Sequence, residues 1–330
     1  PEKAFLWFNL NTNATAGFKV TSNPPQIDIN WNRKGLGKTP LEQSLPIGEI
    51  EISANYGGKR ETNSIKLLPG QKLPETVRFS FGAVQIAGSS GAQSVAAKPI
   101  VDPVKMSWFR NTKFRQAISY AIDRPSIIKS IYAGRARFNY SYIAPANKRW
   151  HNADAKKYPY DLKKARALLK EIGIEDKDGN GTLEDMNGNT IEFILNTNTG
   201  NSEREKIAVI VQEDLKRLGI KLIFQPVEFN SLVDKIDVSY NYDCILLGLG
   251  GGFLDPTANS NVLKSDGFTH MWFPRQLKPS FPWEARIDEL MSAQVKTLDF
   301  EERKKYIFEV QEILAREVPF IYTIQPNAYA

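Results

Sequence analysis

Between about Gly17 and Val84, apolar residues alternate with polar ones in short runs. Ile27, Ile29 and Trp31 form one run, Ile50, Ile52, Ala54 and Tyr56 a second, and Val77, Phe79 and Phe81 a third, each bounded by Pro, Gly or Asn. A period of two predicts strands with one buried face, and several such runs in succession predict a small antiparallel β domain, placed here at residues 14–84. The next stretch, 85–105, is rich in Gly, Ser, Ala and Pro with weak periodicity, and reads as an extended linker.

After Met106 the period becomes helical. Phe114, Ala117, Ile118, Ala121 and Ile122 mark one helix; Leu162, Ala165, Leu168, Leu169 and Ile172 mark another, with Asp161 as N-cap and Gly173 just past its end. Ser202 and Glu205 suggest a capping box ahead of the stripe Ile207, Val211, Leu215, Leu218, which Gly219 stops. Ile287, Leu290 and Met291 mark a further helix, and Phe300, Ile307, Val310 and Leu314 another, opened by a second box at Asp299 and Glu302. The strand-like runs IEFILNT, KLIFQPV, YDCILLGL and PFIYTIQ separate these helices. That alternation predicts an α/β unit with a largely parallel sheet, to which the N-terminal FLWFNLN adds a strand.

The 330 residues, 42% apolar and 24% charged, have the balance of a folded chain. No apolar stretch approaches the roughly 20 residues that cross a bilayer as a helix. The opening Pro1-Glu2-Lys3-Ala4 has no initiator Met and runs at once into a strand, so the chain reads as a piece of a longer polypeptide and its compartment stays open. The net charge of +6 divides into 12 basic and 8 acidic residues before position 106 and 31 and 29 after it. Divided this way the excess is diffuse, and no basic arm or run points to nucleic acid. The single cysteine, Cys244, lies in an apolar run and reads as a buried small hydrophobe.

Several motifs touch on chemistry. NRKGLGKT, from Asn32 to Thr39, ends like a phosphate-binding loop, but its first glycine is replaced by Asn32, and Pro40 and Pro46 stand where the capping helix should begin. GLGGGF, from Gly248 to Phe253, follows a strand, yet Phe253 replaces the third glycine of a dinucleotide fingerprint and no apolar helix follows. DKDGNGTLEDMN sets Asp176, Asp178, Asn180 and Thr182 at alternate positions around Gly181, the spacing that wraps oxygens around calcium. Asn187 stands where a bidentate Glu is wanted, with Glu184 or Asp185 as a substitute, and a solvated Asx-rich turn is the bland reading of the loop. With two histidines, His151 and His270, and no G-x-S-x-G elbow, neither a zinc site nor a hydrolytic triad can be assembled, and no enzyme is expected.

The strings WFRNTKFRQAISYAIDRPSIIKSIYAG, YPYDLKKARALLKEIG, LNTNTGNSEREKIAVIVQEDLKRLGIKL, YDCILLGLGGGFLDP and EVPFIYTI resemble, in order and spacing, the extracellular solute-binding proteins of peptide and nickel ABC importers, family 5. The resemblance covers nearly all of 106–330, and FLWFNLN looks like the family strand that leads into the second lobe, here residues 1–13. It implies a type II periplasmic-binding-protein architecture, a mixed sheet with flanking helices forming lobe II, with lobe I lying outside the chain. Residues 14–84 are similar to PEGA domains, small β modules of bacterial envelope proteins, in their turn Gly37-Lys38-Thr39-Pro40-Leu41.

The implied function is capture of a peptide or other small polar solute outside the cytoplasm, in the periplasm or beyond, and delivery to an ABC permease in the membrane, with no required cofactor. Ligands of α/β lobes sit outside the carboxyl ends of strands, which points to Asn9 and Asn11, to Asn196 and Asn198, and to Gly250, Gly251 and Gly252 with Asp255; Tyr140 and Trp272 complete the set. Turn and cap roles are the bland alternative for each asparagine. In oligopeptide binders of the family an acidic residue ahead of the acidic-Pro step meets the peptide's α-ammonium. Matching that step to Asp255-Pro256 puts Gly252 at the position, so a free N-terminus lacks its counter-charge unless Asp255 or lobe I supplies it. The competing reading is an envelope interaction module in which the PEGA-like domain binds a partner; an apolar patch on the exposed faces of the 27–31 and 50–56 strands would favour it.

Overall fold

The computed structural model describes residues 3–12, 14–23, 26–31, 34–46, 48–56, 59–67, 76–80, 98–249, 255–274, 276 and 278–327. The chain divides into two compact units, one formed by Pro1–Asn11 with Val101–Ala330 and the other by Thr12–Ile100. In chain order the strands are β1 (Lys3–Phe8), β2 (Ala14–Asn23), β3 (Asp28–Trp31), β4 (Lys34–Lys38), β5 (Leu41–Pro46), β6 (Gly48–Tyr56), β7 (Lys59–Leu67), β8 (Thr76–Ser80) and β9 (Lys98–Pro99). The helices α1 (Pro103–Phe109), α2 (Thr112–Ala121) and α3 (Arg124–Tyr132) follow, then β10 (Ala136–Phe138), α4 (Leu162–Lys170), β11 (Glu192–Asn198), α5 (Ser202–Leu218), β12 (Lys221–Val227), α6 (Phe229–Asp234) and β13 (Cys244–Leu249). The chain closes with α7 (Ser260–Leu263), α8 (Pro282–Lys296), α9 (Phe300–Glu317) and β14 (Ile321–Pro326).

The smaller unit holds two four-stranded sheets, β5-β2-β8 with β9 also on β2, and β4-β3-β6-β7. The alternation of Ile27, Ile29 and Trp31, and of Ile52 with Ala54, buries those side chains. Its pairing is antiparallel except between β2 and β8, which run parallel. The stretch read as a linker is structured at its end: β9 pairs with Ala14 and Thr15, and α1 opens at Pro103, capped by the Asp102 side chain on the Val104 N–H. An Asp-Pro step is a helix start, and weak periodicity over so short a helix concealed it.

The larger unit carries a six-stranded sheet in the order β10-β14-β1-β13-β11-β12. It is mixed rather than largely parallel. β11 runs parallel to β12 and β13, while β1 is antiparallel to both β13 and β14, and β10 to β14. The α5 crossover returns the chain in the same direction from β11 to β12. β1 comes from far away in sequence and inserts between β13 and β14 the other way up.

As a central strand, β1 is buried on both faces from Ala4 to Phe8. Phe8 meets Phe109, Phe114 and Phe193 with ring centres 4.7–5.5 Å apart, on the side of α1 and α2. Phe5 turns to the opposite side against Phe320 and Tyr322, at 4.8 and 5.8 Å, and Trp7 joins it. Two fully buried guanidinium groups tie α2 to the end of α9 and α3 to β14. Arg115 donates to the carbonyls of Phe109, Glu317 and Val318, and Arg124 to those of Ser119, Tyr158 and Tyr322. Burial lowers both pKa values to about 10, which leaves both charged near neutrality.

Caps follow the sequence at Asp161 and Asp299, whose side chains accept from Lys164 N and Glu302 N. At α5 the cap is Asn201 instead of Ser202; it accepts from Arg204 N, while Glu205 reaches back to Gly200 N.

Candidate functional site

The strand directions define two edges of the sheet. At one edge lie the carboxyl ends of β11, β12 and β13: Asn198 pairs with Val227, and Leu249 pairs across to Lys3 at the start of β1. The turn after β11 places Asn198, Thr199, Gly200 and Asn201 immediately before α5, and Thr199 N bonds Val227 O at 2.7 Å. Asn198 is half-buried. Its Oδ1 accepts from Arg204 Nη1 at 2.6 Å, so a residue on the first turn of α5 sets the direction of this amide. Asn196, two residues earlier, is buried and donates to Gln225 O at 2.8 Å, which braces β11 against β12. Gly250, Gly251 and Gly252, which follow Leu249 in sequence, lie outside the described residues.

Asn9, Asn11 and Trp272 belong to the other edge. Because β1 is antiparallel to β13, its carboxyl end lies beside the beginning of β13: Phe8 pairs with Cys244 and Asn9 N bonds Asp243 O. Asn9 is fully buried. Its Nδ2 donates to the carbonyls of Tyr240 and Tyr242 at 2.7 and 3.0 Å, and its Oδ1 accepts from Asn11 N. Asn11 is buried and reaches Pro274 O. These two asparagines end a strand and fasten it to the segment ahead of β13, away from the edge that holds Asn198. Trp272 is a core residue: fully buried, it donates to Glu284 at 2.9 Å and packs edge-on against Phe320 at 5.0 Å. The expectation that loop aromatics face a ligand fails for Trp272 because Glu284 supplies an internal partner for the indole N–H.

Glu284 is the hub of that segment. It accepts from Trp272 Nε1, Gln276 Nε2, Ser280 N and Phe281 N within 3.1 Å, with His270 Nε2 3.8 Å away. Burial works against its charge, but these donors outweigh burial and hold its pKa below the ordinary value.

Asp255 caps the single turn Pro256–Asn259 through Thr257 N and accepts from Arg303 Nη2 at 2.7 Å. Partial burial opposes ionisation, yet Arg303 and Thr257 hold the carboxyl down to about 2. Arg303, from the first turns of α9, also donates to Gln294 and Thr257, so it fixes Asp255 in place. The sequence reading missed this partner, although a basic residue close behind the Asp299 cap was its visible signal. Tyr140 is partly buried beside Arg124, whose guanidinium lies 5.1 Å from the ring centre. Burial raises its pKa, and the nearby cation works the other way.

In the Asp176 loop, carboxylate oxygens of Asp176, Asp178 and Glu184 come within 4.8 Å of one another. Asp176 accepts from Gly179 N and Gly181 N, Asp178 from Asn180 N, Asn180 from Thr182 N and Glu184 from Lys177 N. These are the bonds of a self-closed Asx loop.

The mixed sheet with its flanking helices is a lobe of the periplasmic-binding-protein type, and comparison with known proteins agrees with this architecture. The pattern of the bacterial extracellular solute-binding proteins, family 5 middle, matches residues 73–269. A probable ABC transporter-binding protein of Deinococcus radiodurans is 30% identical over 228 residues, 66% of this chain and 38% of that protein. The oligopeptide-binding protein AppA of Bacillus subtilis is 31% identical over 230 residues, 68% of this chain and 40% of that protein. The AppA structure with a nonapeptide is similar with a TM-score of 0.59 at 29% identity, covering 67% of this chain and 42% of that one. NikZ of Campylobacter jejuni, in complex with Ni(L-His), gives 0.55 at 26% identity, over 66% and 42%. The chain belongs to the family 5 bacterial extracellular solute-binding proteins, a family of binding proteins and not of enzymes. It spans about two fifths of the length of the curated relatives it matches.

Proposed function

We propose that the larger unit is the second lobe of an extracytoplasmic solute-binding protein, which captures a peptide-like or other small polar solute against a first lobe and delivers it to the permease of an ABC importer. The observation that carries this reading is the edge where parallel β11 and β13 end, followed by the Asn198 turn, in a chain of this family. Backbone groups and the oriented Asn198 amide offer donors and acceptors of the kind a peptide backbone uses. The peptide named in the AppA structure and the nickel–histidine complex of NikZ bracket the solute as small and polar. The reading requires no cofactor, and it places the protein outside the cytoplasm, at the membrane through its transporter.

Asp255 narrows the solute. Its Oδ1 is engaged by Arg303 and by Thr257 N, so a peptide ammonium would have to share, through the second oxygen, a carboxylate whose charge a guanidinium already compensates. Peptides with a blocked N-terminus, or neutral polar solutes, are therefore favoured. The envelope-module reading loses support in the smaller unit. Exposed positions on β3 and β6 are Asp28, Glu51 and Asn55, with Tyr56 half-exposed, so among the described residues these strands offer no broad apolar patch. The test is calorimetric titration of the chain together with its first lobe. Binding of a short blocked peptide, weakened about tenfold by Asn198→Ala, supports the reading; unchanged affinity in that variant removes the β11 edge from the site.

A further inference from the structure

The segment 148–170 contains eight Lys or Arg and two acids, leaving thirty-five residues of each sign elsewhere, so the chain's whole excess of +6 resides there. Divided at position 105 the same charge reads as diffuse; counted over this one stretch it is concentrated. α4 buries Ala165 and Leu169 against its neighbours, including α2, and presents Lys163, Lys164, Arg166 and Lys170 to solvent, with exposed Lys156 and Lys157 just ahead of it. Lys156 and Lys164 lie 5.0 and 4.9 Å above the rings of Tyr158 and Tyr120, whose centres are 4.8 Å apart, so two like charges share one small area.

The nearby acids other than the exposed Asp154 are committed. Asp161 caps α4, Glu171 pairs with Lys113, and Glu175 with Lys170. Among the described residues, Lys156, Lys157, Lys163 and Lys164 make no ion pair. None of the exposed large apolar residues falls in this segment. A lysine-dominated face with few acids and no exposed aromatic anchors lacks the hot spots of a protein interface and fits a plane of phosphate headgroups.

We propose that the α4 face, with Lys156 and Lys157, is a docking surface for an anionic membrane, holding the protein at the bilayer independently of any solute. Each exposed lysine near such a surface contributes about fivefold in affinity, so the cluster supports weak, reversible adsorption. The test is co-sedimentation of the chain with vesicles containing phosphatidylglycerol, or with phosphatidylcholine alone. Changing Lys156, Lys157, Lys163 and Lys164 to Gln lowers the net charge from +6 to +2; so does a control with the exposed Lys129, Lys206, Lys296 and Lys305 changed to Gln. The expected result is salt-sensitive binding of the unaltered chain and the control to phosphatidylglycerol vesicles, with binding of the face variant reduced tenfold or more. Equal loss in both variants would assign the effect to net charge, and equal binding in both would remove the face from it; either overturns the proposal. So does capture by polyglutamate beads without vesicle binding, which would assign the face to an acidic protein.

Discussion

Asp214, on α5 and 1% exposed, accepts the Asp123 N–H at 2.8 Å and faces Arg217 at 3.2 Å. Burial pushes its carboxyl up to about 6; the Asp123 N–H opposes this, the Asp123 charge adds to it, and Arg217 and Arg124 oppose it. A folded pKa above the ordinary 3.8 means the native state binds the extra proton. Its stabilising contribution is therefore complete below about pH 4 and lost as pH rises through 6. Asp214→Asn keeps an acceptor for Asp123 N and removes the buried charge. Urea unfolding should show it about 1–2 kcal/mol more stable than the parent at pH 7.5, with the difference shrinking towards pH 4.5. Glu284 has the opposite sign: its ionised form is the one four donors hold. Glu284→Ala strands those donors in the core and should cost about 3 kcal/mol or more in the same measurement, while Glu284→Gln recovers part of the loss.

At the scale of elements, the C-terminus of α5 depends on Gly219, whose φ of +99° suits glycine. A Cβ there would stand 3.0 Å from both Gly181 O and Leu183 Cγ, joining the helix end to the Asp176 loop. Gly219→Ala should cost about 1–2 kcal/mol, read as a lowered melting midpoint. Helices with strong periods were legible because burial of α5, α8 and α9 follows the stripe written in each, while α2 is buried on all sides from Phe114 to Ala121. Direction was not. Nothing local in FLWFNLN says which neighbour it pairs with, and its antiparallel insertion moved Asn9 and Asn11 to the edge away from Asn198. Short elements such as α1 and β10 show too little of a period to be seen. Side-chain partners separated by tens of residues, Arg303 with Asp255 and Trp272 with Glu284, were likewise invisible to spacing.

For the whole molecule, the chain leaves the larger unit after Asn11, just past the end of β1, and returns at Val101. There Lys105 reaches Asp243 at 2.6 Å, and Arg110 donates to Leu10 O. The proposed solute edge is the one where β11 and β13 end. The central claim, solute capture at that edge without a carboxylate for an ammonium, is tested most directly by thermal unfolding of the chain with its first lobe against matched peptides bearing free or acetylated N-termini. A solute at about 100 times its dissociation constant adds about 2.7 kcal/mol, a clear rise in the midpoint. The account predicts that rise with acetylated peptides and little with free ones; preference for free N-termini, or no shift with any peptide, would contradict it.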